Sequence, residues 1–82
     1  MIFSKSYCPY CTKAKEAFDD MGISFGAVEL DQVGGGGEIQ AILLDMTGQR
    51  TVPSVWIKGQ HIGGCDDTLA ATSSGKIREM LK

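Results

Sequence analysis

The chain has few cysteines, few prolines and no long hydrophobic run. Its 82 residues include three cysteines and two prolines, and 7% of them are aromatic. A low and odd cysteine count does not fit the disulfide framework of a small secreted domain, so we expect a reducing compartment. No apolar run approaches the roughly 20 residues that a membrane helix needs, and no signal peptide is visible. We therefore expect the cytoplasm, with a chloroplast or mitochondrion as the alternative if a targeting segment has been removed.

The chain also lacks a strong excess of charge of either sign. Eight Lys and Arg residues against ten Asp and Glu residues give a formal net charge of -2. Nucleic-acid binding would call for a basic surface, so we expect neither nucleic acid nor a membrane as a partner. The length suits a single domain over residues 1–82, and 43% hydrophobic residues suit a globular fold.

Glycine is plentiful by contrast, with 11 residues, and together with the apolar periodicity it divides the chain into short elements. The predicted elements, in order, are a strand at 2–3, a helix from 12 to 21, a strand at 23–30, a helix at 38–46 and strands at 54–57 and 60–62. Two helices follow: one capped by Asp66 or Asp67 and running through Ala70, and a last short one at 77–81 after Gly75. The first two strands flank a helix, which predicts a parallel pair, and Lys58-Gly59 predicts an antiparallel hairpin. The result is an α/β fold with a four-stranded mixed sheet flanked by helices. We place Trp56 and Ile57 in its core.

The sequence Cys8-Pro9-Tyr10-Cys11 carries the strongest chemical signal. This spacing brings two sulfurs together where a helix begins, and Pro9 suits the first helical turn. Unpaired N–H groups and the positive end of the helix dipole favour a thiolate at Cys8, which is the reactive form of cysteine. Lys5 adds a positive charge nearby. We predict Cys8 as the nucleophile and Cys11, one turn into the helix, as the shielded resolving thiol.

A CxxC motif is also half of a zinc site, which is the main alternative. Structural zinc takes four ligands, and besides the motif the chain offers Cys65 and the single histidine, His61. This ligand set is thin, so we expect no metal.

Three segments together resemble the glutaredoxin family. Lys5-Ser6-Tyr7-Cys8-Pro9-Tyr10-Cys11 is similar to its dithiol (CPYC-type) active site. Arg50-Thr51-Val52-Pro53 and Ile62-Gly63-Gly64-Cys65-Asp66-Asp67 are similar to its two glutathione-binding segments. The resemblance extends from Ile2 to Leu81 and implies a thioredoxin-like fold. Members of the family usually carry a helix before the first strand, which we expect this chain to lack.

The resemblance also implies a set of glutathione-binding residues. They are Lys5, Tyr10, Gln40, Thr51, Val52, Pro53, Gly64, Cys65 and Asp66. A bond before proline is usually trans, but the resemblance implies a cis Val52–Pro53 bond that presents the Val52 backbone to the cysteine of glutathione.

The remaining members of this set would hold the two ends of the tripeptide. Gly64, Cys65 and Asp66 would receive the γ-glutamyl end at a helix N-terminus, with Asp66 taking the ammonium group. From the residues alone, Asp66 and Asp67 read as helix caps, and both roles can coexist. Lys5 and Gln40 would hold the glycine carboxylate, and Tyr10 would pack beside the ligand.

The implied function is glutathione-dependent reduction of protein–glutathione mixed disulfides and protein disulfides. Glutathione is then a cosubstrate, the partners are glutathionylated or disulfide-containing proteins, and a monomer suffices. Two alternatives stay open. One is a glutaredoxin dimer that binds an iron–sulfur cluster, and the other is a thioredoxin-like reductase that does not use glutathione.

Overall fold

A computed structural model describes all residues of the chain, 1–82. The elements, in order, are β1 (Ile2–Ser4), α1 (Pro9–Asp20), β2 (Ala27–Glu29), α2 (Gly36–Thr47), β3 (Ser54–Ile57), β4 (Gln60–Gly63), α3 (Cys65–Ser73) and α4 (Lys76–Met80). None of these helices has the length and apolar character needed to cross a bilayer.

The four strands form one mixed sheet in the order β2-β1-β3-β4. The pair β1–β2 is parallel, with Phe3 opposite Val28, because α1 carries the chain back across the sheet. The pairs β1–β3 and β3–β4 are antiparallel. The predicted four-stranded mixed sheet is therefore confirmed.

A two-residue turn closes the β3–β4 hairpin, as predicted. Lys58 and Gly59 both have positive φ, at 48° and 80°. This backbone matches the right-handed twist of the flanking strands, which is why two-residue hairpins prefer it.

The hydrophobic core lies on the face of the sheet that α1, α3 and α4 cover. Its members are Ile2, Ala14, Phe18, Val55, Ile57, Ala71 and Ile77. Ala14 and Phe18 belong to the apolar stripe predicted for the first helix, and Ile57 is buried as predicted. This packing fixes α1, and with it the CxxC motif, against the sheet.

Trp56 is not part of that core, contrary to our prediction. It is only half-buried, because alternation along β3 turns it to the opposite face of the sheet from Val55 and Ile57. On that face an apolar groove of about 410 Å³ lies between α2 and the sheet, and Trp56 and Phe3 are part of its lining. Met46 of α2, 65% exposed, stands at this groove.

Several element boundaries also differ from the predicted ones. The apolar periodicity that predicted a helix from residue 12 missed the first turn of α1. The helix begins at Pro9, which occupies that turn as predicted, with Cys8 as the N-cap. The predicted strand at 23–30 is confined to Ala27–Glu29, since β1 offers only three residues to pair with it.

The predicted capping of the third helix by Asp66 or Asp67 is wrong. Gly64 is the N-cap, and no side chain caps the helix. Both aspartates lie inside the first turn, where their negative charge still faces the positive end of the helix dipole.

Candidate active site

The Cys8 sulfur lies at the N-terminus of α1. Cys8 is the N-cap with extended backbone, at φ -90° and ψ 115°, and its Sγ accepts a hydrogen bond of 3.3 Å from the N–H of Cys11. The N–H of Cys8 donates to the carbonyl of Lys5 at 3.0 Å, which closes the preceding turn. The sulfur therefore faces the free N–H groups and the positive dipole end of the helix, as predicted.

Cys11 is 1% exposed, whereas Cys8 is partly exposed, and both are free thiols. Burial raises the pKa of the Cys11 thiol, and its hydrogen bond with the Cys8 sulfur raises it further. The pair thus combines an accessible sulfur with a buried thiol, which matches the predicted division of roles.

The carboxylate of Asp31 holds the turn that leads into Cys8. The N–H of Ser6 donates to Asp31 Oδ1 at 2.9 Å, and the Ser6 hydroxyl donates to Oδ2. These two hydrogen bonds hold the pKa of Asp31 below its usual value. Asp31 follows β2, so this contact ties the active-site turn to the sheet.

The Asp31 contact predicts a dependence of stability on pH. The pKa of Asp31 is lowered in the folded state. Its contribution to stability is therefore complete above its pKa in the unfolded chain, which is near 4, and is lost as the pH falls through its lower pKa in the folded state. We expect Asp31→Asn to lose less stability than the wild type between pH 5 and roughly pH 2, measured by urea unfolding. Asp20→Asn, which removes an exposed carboxylate without hydrogen bonds, should follow the wild-type curve; equal slopes for all three proteins would contradict the assignment.

The loop before β3 lies beside the Cys8 sulfur. Its Val52–Pro53 peptide bond is cis, as the resemblance implied, and the Val52 carbonyl oxygen lies 3.9 Å from Cys8 Sγ. The N–H of Val52 donates to no atom of the chain. The amide of Gln49 holds the loop by donating to the carbonyls of Thr51 and Pro53, both at 2.8 Å.

A groove of about 570 Å³ lies between this loop and the N-terminus of α3. Its lining comprises Tyr10, Gln49, Thr51, Val52, Pro53, Gly64, Cys65, Asp66 and Asp67. Seven of these nine are residues predicted to bind glutathione. Gln49 and Asp67 complete the lining and were not among the predicted binding residues.

The far end of the groove is the N-terminus of α3. Gly64 has no side chain to cap the helix, so the first N–H groups of α3 stay open to the groove. The carboxylate of Asp67 lies directly against Gly63, where φ is 132° and there is no room for a Cβ atom. At this end the groove therefore presents the first N–H groups of α3 as hydrogen-bond donors, with the carboxylates of Asp66 and Asp67 beside them.

Comparisons with known proteins agree with this geometry. A family model described as glutaredoxin matches residues 1–62. The chain belongs to the glutaredoxin family. The predicted thioredoxin-like fold and the predicted enzyme class, a glutathione-dependent thiol–disulfide oxidoreductase, are thereby confirmed.

Individual glutaredoxins resemble the chain over nearly its whole length. It is 52% identical to glutaredoxin-C6 of Oryza sativa over 99% of the chain and 72% of the relative. It is 51% identical to the chloroplastic glutaredoxin-C4 of Oryza sativa over 99% of the chain and 61% of the relative. A crystal structure of a buckwheat glutaredoxin–glutathione complex superposes with a TM-score of 0.93 at 51% identity, over 98% of this chain and 73% of that one.

Two residues that the glutaredoxin resemblance assigned to glutathione do not line the groove. The Gln40 amide donates to the carbonyl of Arg50 at 2.9 Å and so supports the loop before β3. Lys5 lies in the turn before Cys8, where its carbonyl accepts the N–H of Cys8. Tyr10 does line the groove, and the Nζ of Lys13 lies 5.5 Å from the centre of its ring.

The remaining candidates for metal binding in this glutaredoxin are Cys65 and His61. Cys65 is buried, and burial followed by the charge of Asp66 raises the pKa of its thiol. His61 packs against Trp56 in a tilted arrangement, with ring centres 5.1 Å apart. No three His, Cys, Asp or Glu side chains come together in an arrangement that could hold a metal ion.

Proposed function

We propose that Cys8 and Cys11 carry the family reaction in this chain, and that the groove beside Cys8 binds glutathione. The reaction is reduction of protein–glutathione mixed disulfides and of protein disulfides, with glutathione as the electron source. The observation that carries the proposal is the juxtaposition of a partly exposed Cys8 sulfur and a groove with a free backbone N–H at Val52.

The first stage transfers glutathione to the enzyme. The Cys8 thiolate attacks the glutathione sulfur of a mixed disulfide, and the substrate protein leaves as a thiolate that takes a proton from solvent. Binding the glutathione part in the groove selects which sulfur is attacked, because exchange needs the attacking, central and leaving sulfurs in line.

The second stage regenerates the enzyme. A second glutathione thiolate attacks the glutathione sulfur on Cys8, which forms oxidised glutathione and releases the Cys8 thiolate. When the substrate is a disulfide within a protein, Cys8 first forms a mixed disulfide with one substrate sulfur, and the other substrate sulfur leaves as a thiolate. Cys11 then attacks Cys8, the bond from Cys8 to the substrate breaks, and the substrate leaves fully reduced. Two molecules of glutathione reduce the resulting Cys8–Cys11 disulfide and become oxidised glutathione.

The groove suggests how the tripeptide would lie. The Val52 N–H and C=O would pair with the cysteine residue of glutathione in the manner of an added strand. The open N-terminus of α3 at Gly64 and Cys65 would receive the γ-glutamyl carboxylate, and Asp66 the ammonium group. Tyr10, Thr51 and Pro53 would form its walls.

The glycine end of glutathione would extend beyond the groove lining. We assign its carboxylate to Lys5 and Gln40, which flank the groove without entering it. The Gln40 amide carries two N–H groups, so it retains one donor besides the bond to Arg50.

Asp66→Asn tests the proposed site directly. The substitution keeps the shape and removes the charge that would pair with the ammonium group of glutathione. We expect KM for a small glutathione mixed disulfide to rise roughly fivefold, as for a loss of about 1 kcal/mol, with kcat little changed.

Asp45→Asn, on the exposed surface of α2, is the matched control and should leave both constants unchanged. If turnover failed to saturate with the glutathione mixed disulfide, or depended on a reductant other than glutathione, the proposed groove would be wrong and the glutathione-independent alternative would gain.

The proposed activity also suggests the domain organisation, the oligomeric state, the substrates and the compartment of the protein. We propose a single functional domain over residues 1–82 that acts as a monomer on glutathionylated and disulfide-containing proteins. We propose a reducing compartment, the cytoplasm or an organelle; that one relative is chloroplastic supports the organelle alternative.

A further inference from the structure

The side chain of Gln49 holds the backbone on both sides of Val52. Its Nε2 donates to the carbonyl of Thr51 and to the carbonyl of Pro53, both at 2.8 Å. An amide nitrogen carries two hydrogens, so these two bonds use its whole donor capacity. The N–H of Val52, which lies between the two carbonyls along the chain, donates to no atom of the protein. One side chain therefore holds the flanking carbonyls and leaves this N–H free for a ligand.

The bond to Thr51 orients the N–H that glutathione would use. The Thr51 carbonyl and the Val52 N–H belong to the same peptide group, which is trans. In a planar trans group the C=O and the N–H point in opposite directions, so holding the carbonyl fixes the direction of the N–H. The bond to Pro53 holds the chain on the other side, and the backbone of Val52 is thereby restrained from both ends.

Gln49 is itself anchored to the end of α2. Gly48 ends that helix with a left-handed backbone, at φ 75°. The N–H of Gln49 then donates to Thr47 Oγ1 at 3.0 Å, and this hydroxyl donates to the carbonyl of Leu43 at 2.7 Å. The backbone of Gln49 is thus hydrogen-bonded to the last turn of α2, while its side chain reaches the loop before β3.

The same amide lies close to the other wall of the groove. A Cβ atom on Gly64, the N-cap of α3, would lie 3.9 Å from Gln49 Nε2 and 3.7 Å from the carbonyl oxygen of Pro53. Gln49 is also part of the groove lining. It therefore lies where the loop before β3 and the N-terminus of α3 approach each other.

We propose that Gln49 is a positioning residue for glutathione: by holding the Thr51 and Pro53 carbonyls, it keeps the backbone of Val52 in the arrangement that pairs with the ligand. This inference rests on the proposed function. It concerns the affinity for the glutathione part of the substrate and leaves the chemistry at the Cys8 sulfur unchanged.

The size of the effect follows from the two hydrogen bonds. Without a donor at residue 49, both carbonyls would turn to water and the loop would populate other conformations. A ligand that binds only one conformation loses apparent affinity in proportion to the population of that conformation. Loss of two hydrogen bonds of ordinary strength is expected to reduce this population, and with it the affinity, about tenfold.

The test measures a single exchange step in a Cys11→Ser background, where the reaction stops at the adduct. The Cys8 thiolate attacks one sulfur of oxidised glutathione, the bond from Cys8 to glutathione forms, and the other glutathione leaves as a thiolate. Acid quenching and intact mass give the second-order rate constant. Adding Gln49→Met, which keeps the length of the side chain and removes both donors, should lower this constant about tenfold. With hydroxyethyl disulfide, which contains no glutathione, the rate should stay close to that of Cys11→Ser alone.

Three further variants separate lost hydrogen bonds from altered charge. Gln49→Lys should restore most of the rate, because its ammonium group has three N–H donors for the two carbonyls. Gln49→Glu should be at least as slow as Gln49→Met, since a carboxylate offers these carbonyls only acceptors. An effect of charge alone would leave the neutral Gln49→Met at the rate of Cys11→Ser. Gln32→Met, which replaces an exposed glutamine after β2, is the matched control and should change neither rate.

Two results with Gln49→Met would overturn the inference and leave the proposed function intact. One is an unchanged rate with oxidised glutathione, and the other is an equal loss with both disulfides, which would place the effect at the Cys8 sulfur. A rate of Gln49→Lys as low as that of Gln49→Met would overturn it as well. If Cys11→Ser alone reacted no faster with oxidised glutathione than with hydroxyethyl disulfide, both the inference and the proposed glutathione groove would be wrong. If Gln49→Met does not fold, Gln49→Ala also removes both donors and should show the same selective loss.

Discussion

Cys8→Ser is expected to abolish glutathione-dependent reduction of a small glutathione mixed disulfide, whereas Cys11→Ser retains it. The Cys8 sulfur is the accessible one, and it lies at the N-terminus of α1 beside the groove, so no other sulfur of the chain can replace it. Loss of a nucleophile that carries the whole reaction typically costs several orders of magnitude in turnover, on the order of 10⁴-fold or more. The measurement is the initial rate with excess glutathione.

The Cys11→Ser variant tests the role of the resolving thiol in the same experiment. It should reduce glutathione mixed disulfides at a rate close to that of the wild type and lose most of its activity on disulfides within proteins, which need the resolving thiol. Cys65→Ser is the matched control, because Cys65 is proposed to bind glutathione through its backbone, and its sulfur takes no part in the exchange. If Cys8→Ser remained active, or if both Cys8→Ser and Cys11→Ser lost all activity on the small substrate, the one-thiol route would be wrong.

Gly36→Ala is expected to cause the largest loss of stability among single methyl additions in the chain. Gly36 is buried at the start of α2, and a Cβ atom there would overlap the backbone carbonyl of Leu30. A backbone carbonyl cannot rotate away as a side chain can, so the helix or the loop after β2 would have to shift. We expect a loss of about 2–3 kcal/mol in urea unfolding, against a total of roughly 4–12 kcal/mol for a chain of this length.

Gly37→Ala is the matched control for this prediction. It adds the same methyl group to the next residue of the same helix, where a Cβ would meet nothing within 4 Å. Alanine favours helix over glycine, so we expect a small gain of about 0.5 kcal/mol. If both substitutions changed the free energy of unfolding equally, the close approach of Gly36 to the Leu30 carbonyl would not be the cause of the expected loss.

The CxxC motif could be predicted because it depends only on residues that are close together in the sequence. The two-residue spacing of Cys8 and Cys11, with Pro9 between them, requires no distant contact to suggest a helix start with two neighbouring sulfurs. The Lys58-Gly59 turn was predictable for the same reason, since a two-residue connection that contains glycine between two strand patterns indicates a hairpin. The positive φ values of both residues agree with it. The resemblance to glutaredoxins supplied the cis Val52–Pro53 bond, for which the residues alone favoured trans.

Residues that act through distant contacts could not be predicted in this way. Gln49 is a polar loop residue in the sequence, and its role in holding the loop before β3 depends on the two carbonyls that the fold places within its reach. The face to which Trp56 turns depends on how β3 pairs and on which helix covers each side of the sheet.

The sequence by itself determined the family, the dithiol motif, the order of elements and most of the lining of the groove, because each depends on short segments read along the chain. Only the tertiary structure decided which distant side chains meet beside the active-site helix. Ser4 and Glu29 are 25 residues apart and meet only because the parallel register of β1 and β2 sets them opposite each other. That register belongs to a pairing between strands that are far apart in the sequence, so no local pattern records it.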